Sequence, residues 1–177
     1  MITYREYCKT IKEDWGKTSP IPKEVYADVN WRDNFKWIDL GLPSGTLWAD
    51  VNIPNPDDKN GFWTWYDIMT SPYKNYVPTQ EQMEELRDSC EWGWSSADKG
   101  MVVKGENGNR IFLPAEGWFR KKHQKIGEGQ QGEYWTATEG VDSRYAYSQN
   151  FYDSGRIIWV QEFRDEGMSV RLVKNKK

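Results

Sequence analysis

The chain has 177 residues, with 24 Lys and Arg against 27 Asp and Glu and a formal net charge of −3. That balance leaves no basic field, which argues against nucleic acid or an anionic membrane as the main partner, and the length suits one domain with a short accessory segment. Aromatic residues make up 15% of the sequence, including 11 Trp, so the expected core is built from large rings whose N–H and O–H groups need partners.

No stretch reaches the length of an apolar membrane span, so membrane insertion is not expected. No apolar run follows Met1, so no export signal is visible and a phage particle or the cytoplasm is the expected location. Residues 3–15 carry a helical pattern: Tyr4, Tyr7, Cys8, Ile11 and Trp15 share one face, and Arg5, Glu6, Lys9, Lys12 and Glu13 the other. Gly16, Pro20 and Pro22 end it. Such a helix either packs on its own domain or serves in docking or homo-oligomerisation. It belongs with the connecting segment that completes residues 1–35, and the domain proper is expected over 36–174. Cys8 and Cys90 have no metal-ligand spacing and are read as free thiols.

Residues 37–51 read as a β-hairpin turning through Leu42-Pro43-Ser44-Gly45. Asp57, Asp58 and Asn60 offer oxygen ligands, but their spacing is not that of an EF-hand loop, so 54–61 is read as a turn. Thr79 with Gln82 forms a capping box, opening a helix with Met83, Leu86 and Cys90 on its buried stripe and Glu81, Glu84, Glu85 and Asp88 on its solvent side. Residues 101–113 form a second hairpin around Asn107-Gly108. Residues 117–132 read as a long exposed loop. Tyr134 to Thr138, Arg144 to Phe151, Arg156 to Gln161 and Met168 to Val173 read as strands. The fold class is α+β, with two main helices and short, mostly antiparallel strands.

Catalytic parts are few. The single histidine, His123, sits in a basic loop with Arg120, Lys121 and Lys122, and no nucleophile, metal or nucleotide motif accompanies it. No catalytic residue, metal ligand or cofactor is therefore assigned, and a non-enzymatic binding domain is expected. A carbohydrate-active enzyme working with paired carboxylates and a structural virion or surface component stand as alternatives.

Trp37-Ile38-Asp39-Leu40-Gly41-Leu42-Pro43-Ser44-Gly45-Thr46-Leu47-Trp48-Ala49 resembles the opening of the Fibrobacter-type major paralogous domain, a family of Bacteroides-like genomes. Val77 to Leu86, Asn107 to Gly117, and Gly132 to Glu139 with Gly167 to Val173 resemble its later blocks, in order, over about 37–174. The resemblance implies a C-type lectin-like fold of the formylglycine-generating-enzyme subtype. The late cysteine pair of that enzyme has no counterpart after Cys90, so its activity does not carry over. The disulfides and calcium-binding triplets of animal C-type lectins are also missing.

The C-terminal segment resembles the variable region of diversity-generating retroelement proteins. Adenine mutagenesis of an AAC or AAT codon yields Tyr, Asp, Arg, Ile and Val, which stand at Tyr152, Asp165, Arg156, Ile158 and Val160, with Asn itself at Asn150. It does not yield Gln161, Glu162 or Glu166. On this reading the ligand-binding surface comprises Asp142, Arg144, Asn150, Tyr152, Arg156, Ile158, Val160, Phe163, Asp165 and Glu166, and the partner is a protein or glycan receptor. Tyr134, Trp135, Tyr145, Tyr147, Phe151 and Trp159 are expected to anchor the sheet beneath. The plain alternative is that the whole segment is ordinary sheet surface.

Overall fold

The computed structural model describes residues 35–120 and 124–175; the helix expected over 3–15, Cys8 and His123 lie outside the described residues. The architecture is α+β, mostly strands. β1 (Trp37–Asp39) and β2 (Thr46–Ala49) make the first expected hairpin, with Trp37 opposite Ala49. Gly45 sits in its turn at φ +72° and donates its N–H to the Leu42 carbonyl, a conformation that favours glycine.

Helix α1 (Trp65–Thr70) was not expected from the sequence. Thr64 caps it by accepting from the Asp67 N–H, and it buries Trp65 and Ile68. Helix α2 (Gln80–Ser89) has the expected capping box, Thr79 and Gln82 each satisfying the other's backbone N–H, and it buries Met83 and Leu86. The two helices are therefore unequal, ten residues against six.

From α2 the chain passes directly into β3 (Cys90–Ser95), which pairs with β4 (Gly100–Gly105), and β4 pairs with β5 (Arg110–Pro114) in the second expected hairpin. Gly105 lets that hairpin press against the first: a Cβ there would stand 1.9 Å from the Leu40 carbonyl oxygen. The stretch expected as an exposed loop instead holds a small ladder, β6 (Trp118–Arg120) and β7 (Gln124–Ile126). Backbone bonds between Phe119 and Gly167, and from the Gly117 N–H to the Gln131 carbonyl, tie it down.

β8 (Gln131–Glu139), β9 (Tyr145–Tyr152) and β10 (Ile157–Phe163) form an antiparallel sheet in the order β10-β9-β8. The strand expected over 168–173 is cut short. Ser169 runs beside the outer edge of β8, bonding Glu133 and Trp135 through its backbone, and a strand resumes only at β11 (Val173–Asn175), which pairs with β2. The first and last described strands thus share one sheet, β1-β2-β11.

The core has two parts. One gathers Trp63, Trp65, Ile68, Tyr73, Trp135, Ala146, Met168 and Val170 around α1. The other gathers Met83 and Leu86 of α2 with Trp48, Met101, Val103, Leu113, Tyr134 and Phe151. No helix among the described residues is long and apolar enough to cross a membrane.

Candidate functional site

Side chains alternate between the two faces of a strand, and residues paired across an antiparallel ladder share a face. Register therefore sorts the β8-β9-β10 sheet. Tyr134, Gln149 and Trp159 are aligned, as are Gly132, Phe151 and Ile157. This face packs on the second core, and Gln149 Nε2 donates to the Met83 carbonyl of α2. The opposite face carries Glu133, Asn150 and Ile158 in one row and Trp135, Ser148 and Val160 in the next.

That opposite face is covered at one end only. Trp135 and Ala146 belong to the first core, over which residues 164–168 cross from β10 towards the edge of β8. Tyr152, Ile158 and Val160 are partly exposed and belong to neither core. Arg156 is exposed where its carbonyl accepts from the Tyr152 N–H at the β9-β10 turn. The register thus brings Asn150, Tyr152, Ile158 and Val160 to one face, with Arg156 exposed at the adjoining turn.

The other residues expected with them fare differently. Asn150 is buried at 2% exposure, accepting through Oδ1 from the Ser148 hydroxyl at 2.9 Å, so it is floor rather than display surface. Glu166 is likewise buried at 2% because the crossing segment turns it under the sheet, while Asp165 stays exposed. Asp142, Arg144 and Phe163 lie at the far end of β9, about 20 Å from Tyr152 by strand rise. There Arg144 pairs with Asp142 at 2.8 Å and stacks over Tyr145, whose ring lies 4.7 Å from that of Phe163. Of the anchors, Tyr134, Trp135 and Phe151 are buried, and Tyr145, Tyr147 and Trp159 are partly exposed.

Sequence reasoning missed the acidic floor of the open face. Glu133, 3% exposed, accepts from Gln131 Nε2 at 2.9 Å through Oε1. Glu162 and Glu166 act on each other electrostatically. Burial pushes the Glu133 carboxyl up to about 8, and the charges of Glu162 and Glu166 add to the shift. Burial raises Glu166 as well, helped by the charge of Glu162. A lone acid amid apolar strand residues, as in Gly132-Glu133-Tyr134-Trp135, was the signal available for it.

A pH dependence of stability follows. The folded state holds the Glu133 proton up to about pH 8, whereas the unfolded chain releases it near 4.5, so stability is highest in acid and falls as pH rises between those values. Glu133→Gln is expected to flatten that slope by about 2–4 kcal/mol between pH 5 and 8.5. Urea unfolding of both proteins across that range measures it, and parallel slopes would show that Glu133 ionises freely.

Elsewhere, Asn55 and Asp58 cap the 54–61 turn by accepting from the Asp57 N–H and from the Asn60 and Phe62 N–H groups. Among the described residues no group of three or more His, Cys, Asp or Glu is placed to hold a metal ion. A hollow of about 330 Å³ lies between Asp88, Ser89, Cys90, Glu91, Lys104 and Glu106. Its thiol, Cys90, is free and is pushed up to about 11 by burial and the nearby Glu85 and Glu106, so it is a poor nucleophile. Comparison with protein-family models, with curated proteins and with solved structures finds no match to this chain.

Proposed function

We propose that the chain is a ligand- or receptor-binding domain of the C-type lectin-like class, related to the Fibrobacter-type major paralogous domains, and that it recognises its partner with the open half of the β8-β9-β10 face. One observation carries this reading. Alternation along β10 packs Ile157 and Trp159 against the second core and leaves Ile158 and Val160 off it, near Tyr152 and the exposed Arg156 of the β9-β10 turn. A rigid sheet thus presents an aromatic, a guanidinium and two aliphatic side chains together, a composition suited to binding hot spots. These are also the positions at which adenine mutagenesis of Asn codons accounts for the residues present, which supports a diversified surface.

The test is a joint replacement of Tyr152, Arg156, Ile158 and Val160 by Ala or Ser. Partner binding is expected to vanish while the melting temperature moves little, since partly exposed substitutions each change stability by about 0.5 kcal/mol. A collapse in stability would show these residues to be core. A neighbouring reverse transcriptase gene with a near-copy of the codons for 142–166 would bear on diversification independently.

The rival reading, a carbohydrate-active enzyme, draws on Glu162 and Glu166, because a carboxyl raised by burial and a neighbouring acid suits a general acid. Glu166 is buried, however, and substrate would reach it only after the side chains above it move. Glycan hydrolysis lost on Glu166→Gln would establish this reading in place of the first.

A further inference from the structure

Strand β10 is paired on one side only. In an antiparallel ladder, alternate residues turn their backbone N–H and C=O to opposite neighbours. The Tyr152 N–H donates to the Arg156 carbonyl and the Arg164 N–H to the Arg144 carbonyl, so the even-numbered residues of β10 bond to β9. Ile157, Trp159 and Gln161 therefore turn their backbone groups away from β9, along the outer edge of the β10-β9-β8 sheet. None of these groups has a partner among the described residues, whereas the next outward carbonyl, that of Phe163, accepts from the Glu166 N–H. Every residue of β10 is at least partly exposed. A bare edge is a template for another strand, and proteins ordinarily blunt it with proline, lysine, a bulge or a very short strand. β10 has none of these: its seven residues pair with β9 without a break in register, and Glu162 is its one charged side chain.

We infer that the edge of β10 is an interface for a second copy of this chain, β10 pairing antiparallel with β10 about a two-fold axis at Trp159. Two independent features select this occupant and this register. The first is hydrogen bonding. With Trp159 opposite Trp159 and Ile157 opposite Gln161 of the other copy, each free N–H meets a free C=O and none is left over. Sliding the strands by two residues brings in either the Phe163 carbonyl or the Gly155 N–H, and both are already bonded, the latter to the Tyr152 carbonyl. The second is charge. The same register sets Arg156 opposite Glu162 of the other copy at both ends, and Ile158 opposite Val160, so opposite charges meet and aliphatics meet aliphatics. The slides set Arg156 opposite Arg164 or Val160 instead. An unrelated extended peptide would satisfy the backbone, but a second β10 returns these side-chain pairs as well. Pairing one edge with itself is isologous and closes at two. The product is a continuous sheet of three strands from each copy, with the two open faces on the same side. The inference uses the edge of β10 and does not depend on what the open face binds.

The test is sedimentation velocity of the full chain from about 5 to about 500 µM, with amide hydrogen exchange over the same range. A strand pair of this length buries less than a standard interface, so a dissociation constant on the order of 100 µM is expected. The Trp159 and Gln161 N–H groups should exchange more slowly as the dimer forms, while those of Ile158 and Val160, bonded to β9, stay protected throughout. Arg156→Glu and Glu162→Arg should each weaken self-association about tenfold, because each sets like charges opposite one another. Mixed in equal amounts, the two variants should recover it as a heterodimer, since opposite charges then face each other at both ends. If either variant fails to fold, Gln161→Pro, which removes an outward N–H and none that β9 uses, should give a folded monomer. Exchange on the unaltered chain decides the matter without any variant. A monomer at every concentration would overturn the inference. With both amides fast, the edge is left open to another protein; with both protected even when dilute, a segment of the chain itself covers it. A dimer whose exchange changes lie elsewhere, a mixture no tighter than either variant alone, or a species larger than the dimer would overturn it equally.

Discussion

Replacing Arg171 by Met is expected to destabilise the domain by about 3–5 kcal/mol, the loss typical of breaking a buried charged network from one side. Arg171 is 1% exposed and stands between Val170 and Leu172 of the first core, whose carbonyls accept from the Ile53 and Ala49 N–H groups. Its Nε donates to Asn52 Oδ1 at 2.8 Å, one terminal nitrogen to the Ala49 carbonyl at 3.0 Å and the other to the Phe112 carbonyl at 2.6 Å. Asn52 passes the contact on: its Nδ2 donates to Glu116 Oε2 at 3.0 Å and to Tyr134 Oη at 3.1 Å, and the Tyr134 hydroxyl donates to the Pro114 carbonyl. Ser169 Oγ donates to the same Glu116 oxygen at 2.7 Å. One guanidinium therefore ties the end of β2, the end of β5 and the start of β8 to the C-terminal segment. Met fills much of the volume but donates nothing, so the buried Ala49 carbonyl and the part-buried Phe112 carbonyl and Asn52 amide oxygen lose donors. Arg171→Lys keeps the charge and replaces the planar fork by a point donor, and an intermediate loss is expected. Urea unfolding of the three proteins measures the series. A Met variant within about 1 kcal/mol of the unaltered chain would mean that desolvation of the guanidinium offsets its bonds.

How much of this was legible in the sequence depends on the range of the signal. The two hairpins and the α2 capping box were read from residues within a few positions of one another, such as Asn107-Gly108 and Thr79 with Gln82, and they stand as expected. α1 carried a local signal too, Thr64 three residues before Asp67, but six residues are too few to show a period. β3 was missed because no breaker separates it from α2; Cys90 ends the helix and begins the strand. The ladder of β6 and β7 was read as loop from its Gly, Lys and Gln. What orders it is tertiary: Gly117 lies against Gly132, and Phe119 against Gly167.

The candidate site divides on the same line. That Tyr152, Ile158 and Val160 fall on one face follows from a period of two, which the sequence contains. Which neighbours lie under them follows from register and from the path of the crossing segment, which it does not. Asn150 and Tyr152 have the same parity on β9, yet Asn150 faces buried Glu133 across the ladder and Tyr152 faces Gln131 near the sheet edge. Glu166 reads as a surface acid in Asp165-Glu166-Gly167 and is buried because the chain doubles back beneath β9 there. Phe163 has the composition of a hot spot, but its parity and its Tyr145 partner place it at the other end of the sheet.

Trp135 and Trp159 both look like sheet anchors in sequence, and the structure separates them by burial and bonding. Trp135→Ala is expected to cost about 3–5 kcal/mol, the range for truncating a fully buried large aromatic, and Trp159→Ala clearly less. Trp135 is 0% exposed, sits in the first core and donates Nε1–H to the Trp63 carbonyl at 2.9 Å. Trp159 is partly exposed on β10, packs on the second core from outside, and has its Nε1 buried without a partner among the described residues. Phe substitutions isolate that difference. Trp135→Phe gives up a hydrogen bond and opens a small cavity, for a loss of about 1–2 kcal/mol. Trp159→Phe removes an N–H that bonds nothing, so it should fall within about 0.5 kcal/mol of the unaltered chain or stabilise it. Urea unfolding of the four variants gives the comparison. Equal losses for Trp135→Ala and Trp159→Ala would mean that β10 is clamped as firmly as β8. A strand held that tightly by its inner face would make substitutions at Ile158 and Val160 costly as well, contrary to a surface built to vary.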